Sequence, residues 1–290
     1  MKVKKMFTVI AFCLISVCSV FAQHSNDKKL LRACKDGSLR DVQKYLEAGA
    51  DPNAWESASS ANCTALGYAC KNRNINMVRT LVDRGASVDV DAEKFESPLM
   101  IAVENGSQSI VNYFVNVCNA DTNICNFNKK TVLMAAVESG KTDTLKLILR
   151  TNFGDIDATD MNQKNALHYA VEAKNFLGAK ELIEKGINMY QCDDRGYTPF
   201  MRAAVNENSE LVKFFLLNAN FDVNTKDDLG YPALLLCIKK GLSITLIKTI
   251  LRYGNNPTSV VDNDGNDIYY YLNRWGTEEM RNAVNEAKYY

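Results

Sequence analysis

Eight segments of this chain begin the same way, at Lys28, Thr64, Ser97, Thr131, Asn165, Thr198, Pro232 and Asp267, with successive spacings of 36, 33, 34, 34, 33, 34 and 35 residues. A period near 34 restricts the fold more than any other property of the sequence. A unit this short cannot bury an apolar face by itself, so it must stack on its neighbours. Two and three positions after each start come apolar pairs such as Leu66-Gly67, Leu99-Met100, Leu133-Met134, Leu167-His168, Phe200-Met201 and Leu234-Leu235. Five and six positions on come Ala33-Cys34, Ala69-Cys70, Ala102-Val103, Ala136-Val137, Ala170-Val171, Ala203-Ala204 and Cys237-Ile238, small residues where helices approach closely. A second apolar set follows at i, i+3 and i+4, for example Val78, Leu81 and Val82, or Val111, Phe114 and Val115. That spacing predicts one buried stripe on a second helix. Each unit therefore reads as helix, turn, helix, loop.

The second helices are expected to end at Gly49, Gly85, Gly186 and Gly254, and at Asn119, Asn152 and Asn218, because these residues adopt the left-handed conformation that terminates a helix. Asp193-Asp194-Arg195-Gly196, Asp227-Asp228-Leu229-Gly230 and Asn263-Asp264-Gly265-Asn266 suit tight hairpin tips between units. At this point the residues resemble the ankyrin repeat, with its Thr-Pro-Leu-His pattern, following alanines and Gly-Ala-Asp exit. The matching stretches are Gly196-Tyr197-Thr198-Pro199-Phe200, Ser97-Pro98-Leu99, Asn165-Ala166-Leu167-His168, Gly49-Ala50-Asp51-Pro52-Asn53 and Gly85-Ala86-Ser87-Val88-Asp89. Val132, Ala166 and Ala65 depart from it where proline is usual, and Lys164 stands where a loop glycine would help. The resemblance runs from Lys28 to about Tyr290. It implies an all-α ankyrin-repeat solenoid of about eight helix-turn-helix units with short hairpin-like loops. The terminal units act as caps, and residues 277–288 form a closing helix that keeps Met280, Ala283, Val284 and Ala287 on one face.

Residues 1–22 are set apart. Lys2, Lys4 and Lys5 precede an apolar run from Met6 to Val20, and Val20-Phe21-Ala22 offers a cleavage site, so a secretory signal peptide is expected, followed by one domain over 23–290. The run is shorter than the roughly 20 residues of a spanning helix. No second stretch approaches that length. The protein is expected to be exported, to the periplasm or outside the cell; the alternative is a lipoprotein anchored through Cys18. The whole chain balances 34 basic against 34 acidic side chains, and removal of the three lysines leaves a net charge of −3. Nucleic acid is thereby excluded as a partner, and the 47% hydrophobic content excludes a disordered chain.

Catalysis finds little support. The only histidines are His24 and His168, and the resemblance implies that His168 hydrogen-bonds within the turn network. No zinc-protease, nucleophile-elbow or phosphate-loop motif is present. Neither an enzyme, a cofactor nor a metal is expected. Cys34, Cys70 and Cys237 sit at small core positions, whereas Cys118 and Cys125 flank one finger loop and form the one plausible disulfide pair in an oxidising compartment.

The resemblance places partner binding on a concave face built from hairpin tips and from the exposed turn of each inner helix. Seven positions after the unit starts stand Lys71, Glu104, Glu138, Glu172 and Lys239. The three glutamates would form an acidic ladder for a basic partner segment; a solvated face is the plainer reading. Arg195, and the loop aromatics Trp55, Phe95, Phe127, Tyr197 and Tyr231, form a second candidate surface, since aromatics dominate interface hot spots. The cluster Tyr269, Tyr270, Tyr271 and Trp275 is read as cap core. The expected function is a non-catalytic, monomeric scaffold for a protein partner. The alternative is a binder of a small molecule, cation or cell-wall glycan along an acidic groove.

Overall fold

The computed structural model describes residues 25–57, 62–91, 94–151, 153–218, 221–254 and 257–287. The expected signal peptide, Cys18, His24 and the helix end at Asn152 lie outside them. The chain forms two compact units, one through Phe127 and one from Asn128.

In the first unit, α1 (residues 25–36) and α2 (Leu39–Glu47) are followed by the pairs α3 (Ala65–Lys71) with α4 (Ile75–Asp83) and α5 (Pro98–Glu104) with α6 (Gln108–Asn116). A two-residue antiparallel ladder, β1 (Trp55–Glu56) against β2 (Cys63–Thr64), closes the longest loop. The second unit contains α7 (Val132–Glu138), α8 (Thr142–Ile148), α9 (Ala166–Glu172), α10 (Phe176–Glu184), α11 (Pro199–Val205) and α12 (Ser209–Asn218). It continues with α13 (Ala233–Lys239), α14 (Ile244–Tyr253), α15 (Ile268–Trp275) and α16 (Glu278–Ala287). The all-α, helix-turn-helix architecture holds within each unit.

The inner helices start where they do because their first residue is a cap. The side chains of Thr64, Ser97, Thr131, Asn165, Thr198 and Asp267 each accept the N–H three residues on, satisfying a donor that the helix leaves open. Pro232 makes no side-chain cap, but its fixed φ of −62° lies just ahead of α13. Nine positions after seven of the eight starts the backbone turns left-handed, at Gly37, Arg73, Gly106, Gly140, Lys174, Glu207 and Gly241, whereas Gly276 in the last unit is extended at φ −79°. That turn sends the chain back along the second helix.

Inner-helix residues at the two-, five- and six-position marks are buried in the seven units from Lys28 to Pro232, Leu133, Ala136 and Val137 among them, while in the last unit Tyr269 is half-buried and Asn273 exposed. The stripe on the second helices is buried as expected at most of its positions, Leu149 and Leu251 included, and extends one residue further toward the helix start. Its buried members are Met77, Val78 and Leu81, then Ile110, Val111 and Phe114, then Thr144, Leu145 and Ile148, while Val82 and Val115 are only half-buried. Hydroxyl-bearing Thr144 and Gly178 interrupt this extra column and conceal it from a hydrophobicity pattern.

Three loop expectations change. The left-handed residue in the loop before α9 is Gln163 (φ 59°), not Lys164, one position from where a glycine would have helped. Gly254 is extended at φ −81°; a side chain there would meet the Ile250 carbonyl at 2.6 Å, so close approach and not handedness requires glycine. Asn218 is the last residue of α12, while Asn119, with φ 52°, does take the left-handed form. At the chain's end, α16 buries Met280, Ala283 and Val284 and exposes its charged side, as a closing helix should. Among the terminal aromatics only Tyr271 is core. Tyr270 and Trp275 are 41% and 38% exposed, which corrects their reading as cap interior.

Candidate functional site

The four loops ahead of α9, α11, α13 and α15 share one device. An aspartate five residues before the unit start, Asp160, Asp193, Asp227 or Asp262, is buried, and its Oδ1 accepts the backbone N–H groups two and four residues on. The side chain thus folds the finger onto itself in place of a ladder. Its second oxygen faces the residue nine positions later, on the inner helix. Tyr169 donates its hydroxyl to Asp160 at 2.8 Å and Tyr271 donates to Asp262 at 2.7 Å, while Arg202 forms an ion pair with Asp193. Leu236 holds that place in the remaining unit, so Asp227 Oδ2 is buried with no partner.

Ionisation follows from this difference. Burial works against the Asp262 charge, but hydrogen bonds from Asn266, Tyr271 and the loop backbone outweigh it and bring its carboxyl down to about 2. Burial of Asp227, reinforced by the charge of Asp228, outweighs two backbone N–H groups and the more distant Lys239, and raises its pKa.

A second pairing joins the residue just before a unit start to the one seven after it. Lys130 meets Glu138 at 2.5 Å and Lys164 meets Glu172 at 2.7 Å. In the next-but-one unit Lys239 lies over the Tyr231 ring, 3.9 Å from its centroid. Tyr197 takes Arg202 at 4.9 Å and Lys240 at 5.9 Å from its ring centre. In the first unit Lys71 pairs with Glu96 at 2.6 Å and lies, with Lys35, over the Tyr68 ring, whose hydroxyl donates to Glu56.

Two carboxylates of the expected acidic ladder, Glu138 and Glu172, are therefore already neutralised by lysines of their own units. Glu104 is exposed at the end of α5 in the first unit. Glu172 and Arg195 are brought together in a cleft of about 290 Å³, completed by Asn162, Lys164, Asp194 and Arg202. Arg195 itself makes no ion pair among the described residues. Phe127 is 44% exposed at its tip, and Trp55 packs edge-on against Phe95 with ring centroids 5.5 Å apart. Sequence reasoning missed Lys130, Lys164 and Arg202, although comparing positions across unit starts would have exposed both pairings.

His168 is buried within the second unit, between its own repeat and the next. Its Nε2 lies 3.0 Å from the Tyr197 carbonyl, which can only accept, so that nitrogen carries the proton; Nδ1 then accepts the Asn165 N–H. Burial lowers its pKa and keeps it neutral. Cys118 and Cys125 are free thiols in this structure, the first half-buried beside Tyr113 and the second exposed, so the expected bond between them is not present. Burial pushes the Cys34 and Cys237 thiols up to about 12, making them inert core residues. No metal-ligating cluster and no helix long and apolar enough to cross a membrane occurs among the described residues.

The family model for ankyrin repeats matches three times, over residues 30–124, 99–193 and 177–264. The chain belongs to the ankyrin-repeat family. Among curated relatives it is similar to ankyrin repeat domain-containing protein 40 of Mus musculus and of Homo sapiens, each 29% identical over 83 residues. That match covers 29% of this chain and 22% of each relative, so the chain spans about a fifth of their length. It is also 30% identical over 94 residues to the ankyrin repeat and KH domain-containing protein mask-1 of Caenorhabditis elegans, covering 32% of this chain and 4% of that protein. Among solved structures, the ankyrin repeat domain of Bcl-3 superposes with a TM-score of 0.65 at 22% identity, covering 76% of this chain and 97% of that one. That likeness concerns the fold. Ankyrin repeats are generally protein–protein interaction modules.

Proposed function

We propose that this ankyrin-repeat protein is an exported, non-catalytic scaffold that binds a protein partner through the inner-helix face. The observation carrying this reading is that, in the second unit, the positions one before and four, seven and eight after the unit starts hold polar, charged or aromatic side chains at sixteen of twenty places, Ala135, Ala173, Val205 and Leu236 being the exceptions, on helices otherwise packed into the core. Short capped helices keep those groups at fixed spacing, so a partner would dock with little ordering cost. Several groups that chemistry would need are already engaged: His168 is bound on both nitrogens, and Glu138 and Glu172 are paired with lysine. Export rests on the lysine-started apolar segment over residues 1–22.

A photo-crosslinking residue at Tyr197, on the face, and another at Lys180, on the opposite helix layer, test the site. Discrete protein adducts from position 197 alone are expected; equal labelling from both positions contradicts the reading. N-terminal sequencing of the mature protein should begin at Gln23, and retention of Met1 would remove export from the account.

A further inference from the structure

The inner face of the second unit changes chemistry along its length. In the units starting at Thr131 and Asn165, lysines and glutamates are matched, Lys130 with Glu138 and Lys164 with Glu172. In the three units that follow, the twelve corresponding positions contain four cations and four aromatics and no acid. The cations are Arg202, Lys239, Lys240 and Arg274; the aromatics are Tyr197, Tyr231, Tyr271 and Trp275. Arg202 is neutralised by buried Asp193, but Lys239, Lys240 and Arg274 have no carboxylate in ion-pair contact among the described residues. Each instead lies against a ring, at 3.9 Å, 5.9 Å and 5.1 Å from the centroids of Tyr231, Tyr197 and Trp275.

The rings themselves form a chain. Tyr231 meets Tyr271 edge-on at 6.2 Å, Tyr271 meets Trp275 at 5.3 Å, and Trp275 meets Tyr270 at 6.3 Å. Tyr271 is buried beneath this chain of rings, so the rings open to a partner are Tyr231, Tyr270 and Trp275, and edged by lysine and arginine they offer apolar area and uncompensated positive charge together. Acids also occur in these units: Asp194, Asp228 and Asp264 on the finger tips, Glu207 and Asp267 at exposed positions flanking the inner helices, Asp262 bonded to Tyr271, and Asp227 beneath, whose charge partly offsets Lys239.

Resting on the protein-binding reading above, we propose that the last three units bind an acidic linear segment of a partner protein, its carboxylates meeting Lys239, Lys240 and Arg274 and its apolar side chains lying on the tyrosine and tryptophan rings. This reverses the charge expected of the partner from the glutamate ladder. The fit is one of charge: a basic segment would face three uncompensated cations here and only lysine-paired glutamates in the preceding units.

The test uses the chain from Gln23 with Trp55→Phe, which leaves Trp275 as the sole tryptophan reporter. A fluorescein-labelled peptide alternating Glu with Leu and Tyr is titrated by anisotropy and by Trp275 quenching, against a Lys-for-Glu peptide of the same length. Saturable binding of the acidic peptide is expected, weakened at least about tenfold in Lys239→Gln/Lys240→Gln/Arg274→Gln and weakened by added salt. Asp227→Asn should strengthen it by relieving repulsion under Lys239. Circular dichroism confirms that each variant stays folded. Acidic-peptide binding that survives the triple substitution, or no saturable binding of that peptide, overturns the proposal. Binding of the basic peptide, lost in Glu138→Gln/Glu172→Gln, would overturn it while leaving the wider protein-binding reading intact; crosslinks absent from position 197 would defeat that wider reading instead.

Discussion

The finger closed by Asp262 and the finger closed by Asp227 have the same backbone hydrogen bonds and differ in two side-chain partners, one of them the Asn266 amide, which donates to Asp262 where the other finger has Tyr231. In the first, Tyr271 reaches the second carboxylate oxygen; in the second, Leu236 stands where that tyrosine would be. One carboxylate is held strongly ionised and the other is biased toward its neutral form. The difference teaches that the repeat supplies the loop, while two side chains, one just before the unit start and one four residues into the inner helix, set the loop's electrostatics. The same helix face is the one we assign to recognition. Variation there is thus felt both by a partner and by the finger beneath it.

The sharpest way to break this comparison is to neutralise both acids. Asp262→Asn should cost about 2–3 kcal/mol, because it removes a charge held by several donors and sets an amide against Asn266. Asp227→Asn should cost less than about 1 kcal/mol, because the charge it removes was poorly compensated. Equal losses in urea denaturation would mean that the Tyr271 contact contributes nothing. Next in size, Tyr271→Phe should remove one of the two side-chain donors that the Asp227 finger lacks, leaving the Asn266 amide in place, at a cost of about 1–2 kcal/mol, visible as a lowered urea midpoint.

Acidity should separate the fingers by sign. Since Asp262 titrates lower in the folded chain than in the unfolded one, its contribution is complete above the unfolded value near 4 and is lost as pH falls toward about 2. Asp227 titrates higher when folded, so its contribution is greatest below the unfolded value and is lost as pH rises through its raised value. His168, lowered by burial, adds stability above its unfolded value near 6.5 that fades as pH falls below it. Denaturation midpoints across pH 2–8 for the parent and Asp227→Asn check these directions. The smallest expected effect concerns the left-handed turns. Arg73→Gly and Lys174→Gly should each stabilise by about 0.5–1 kcal/mol, as Gly106, Gly140 and Gly241 already hold the equivalent conformation without a side chain. Lower melting temperatures would refute this.

Much of the fold was legible because a period of about 34 residues makes each position visible several times. Leu99, Leu133 and Leu167 identify one another as core, and the polar residues ahead of them identify themselves as caps. The extra buried column ahead of the expected stripe on the second helices was harder to see, since Thr144 and Gly178 interrupt its apolar members Met77, Ile110, Leu211 and Leu246. At the site, Tyr197, Tyr231 and Lys239 were legible as exposed-face positions. The neutralisation of Glu138 and Glu172 was not, because it depends on residues eight apart that meet only when a finger folds back over the start of its own helix. The Asp227 defect escaped for the opposite reason: a leucine at position 236 looks like ordinary core until its neighbours show what it replaces.

The claim that inner-helix side chains set the electrostatics of the fingers is tested most directly by a carboxyl-carbon NMR titration of the folded protein. Asp262 should titrate near 2 and Asp227 above the ordinary aspartate value of about 3.9, with Leu236→Tyr moving Asp227 down and Tyr271→Phe moving Asp262 up. Superimposable titration curves for the two aspartates, unmoved by either substitution, would contradict the account.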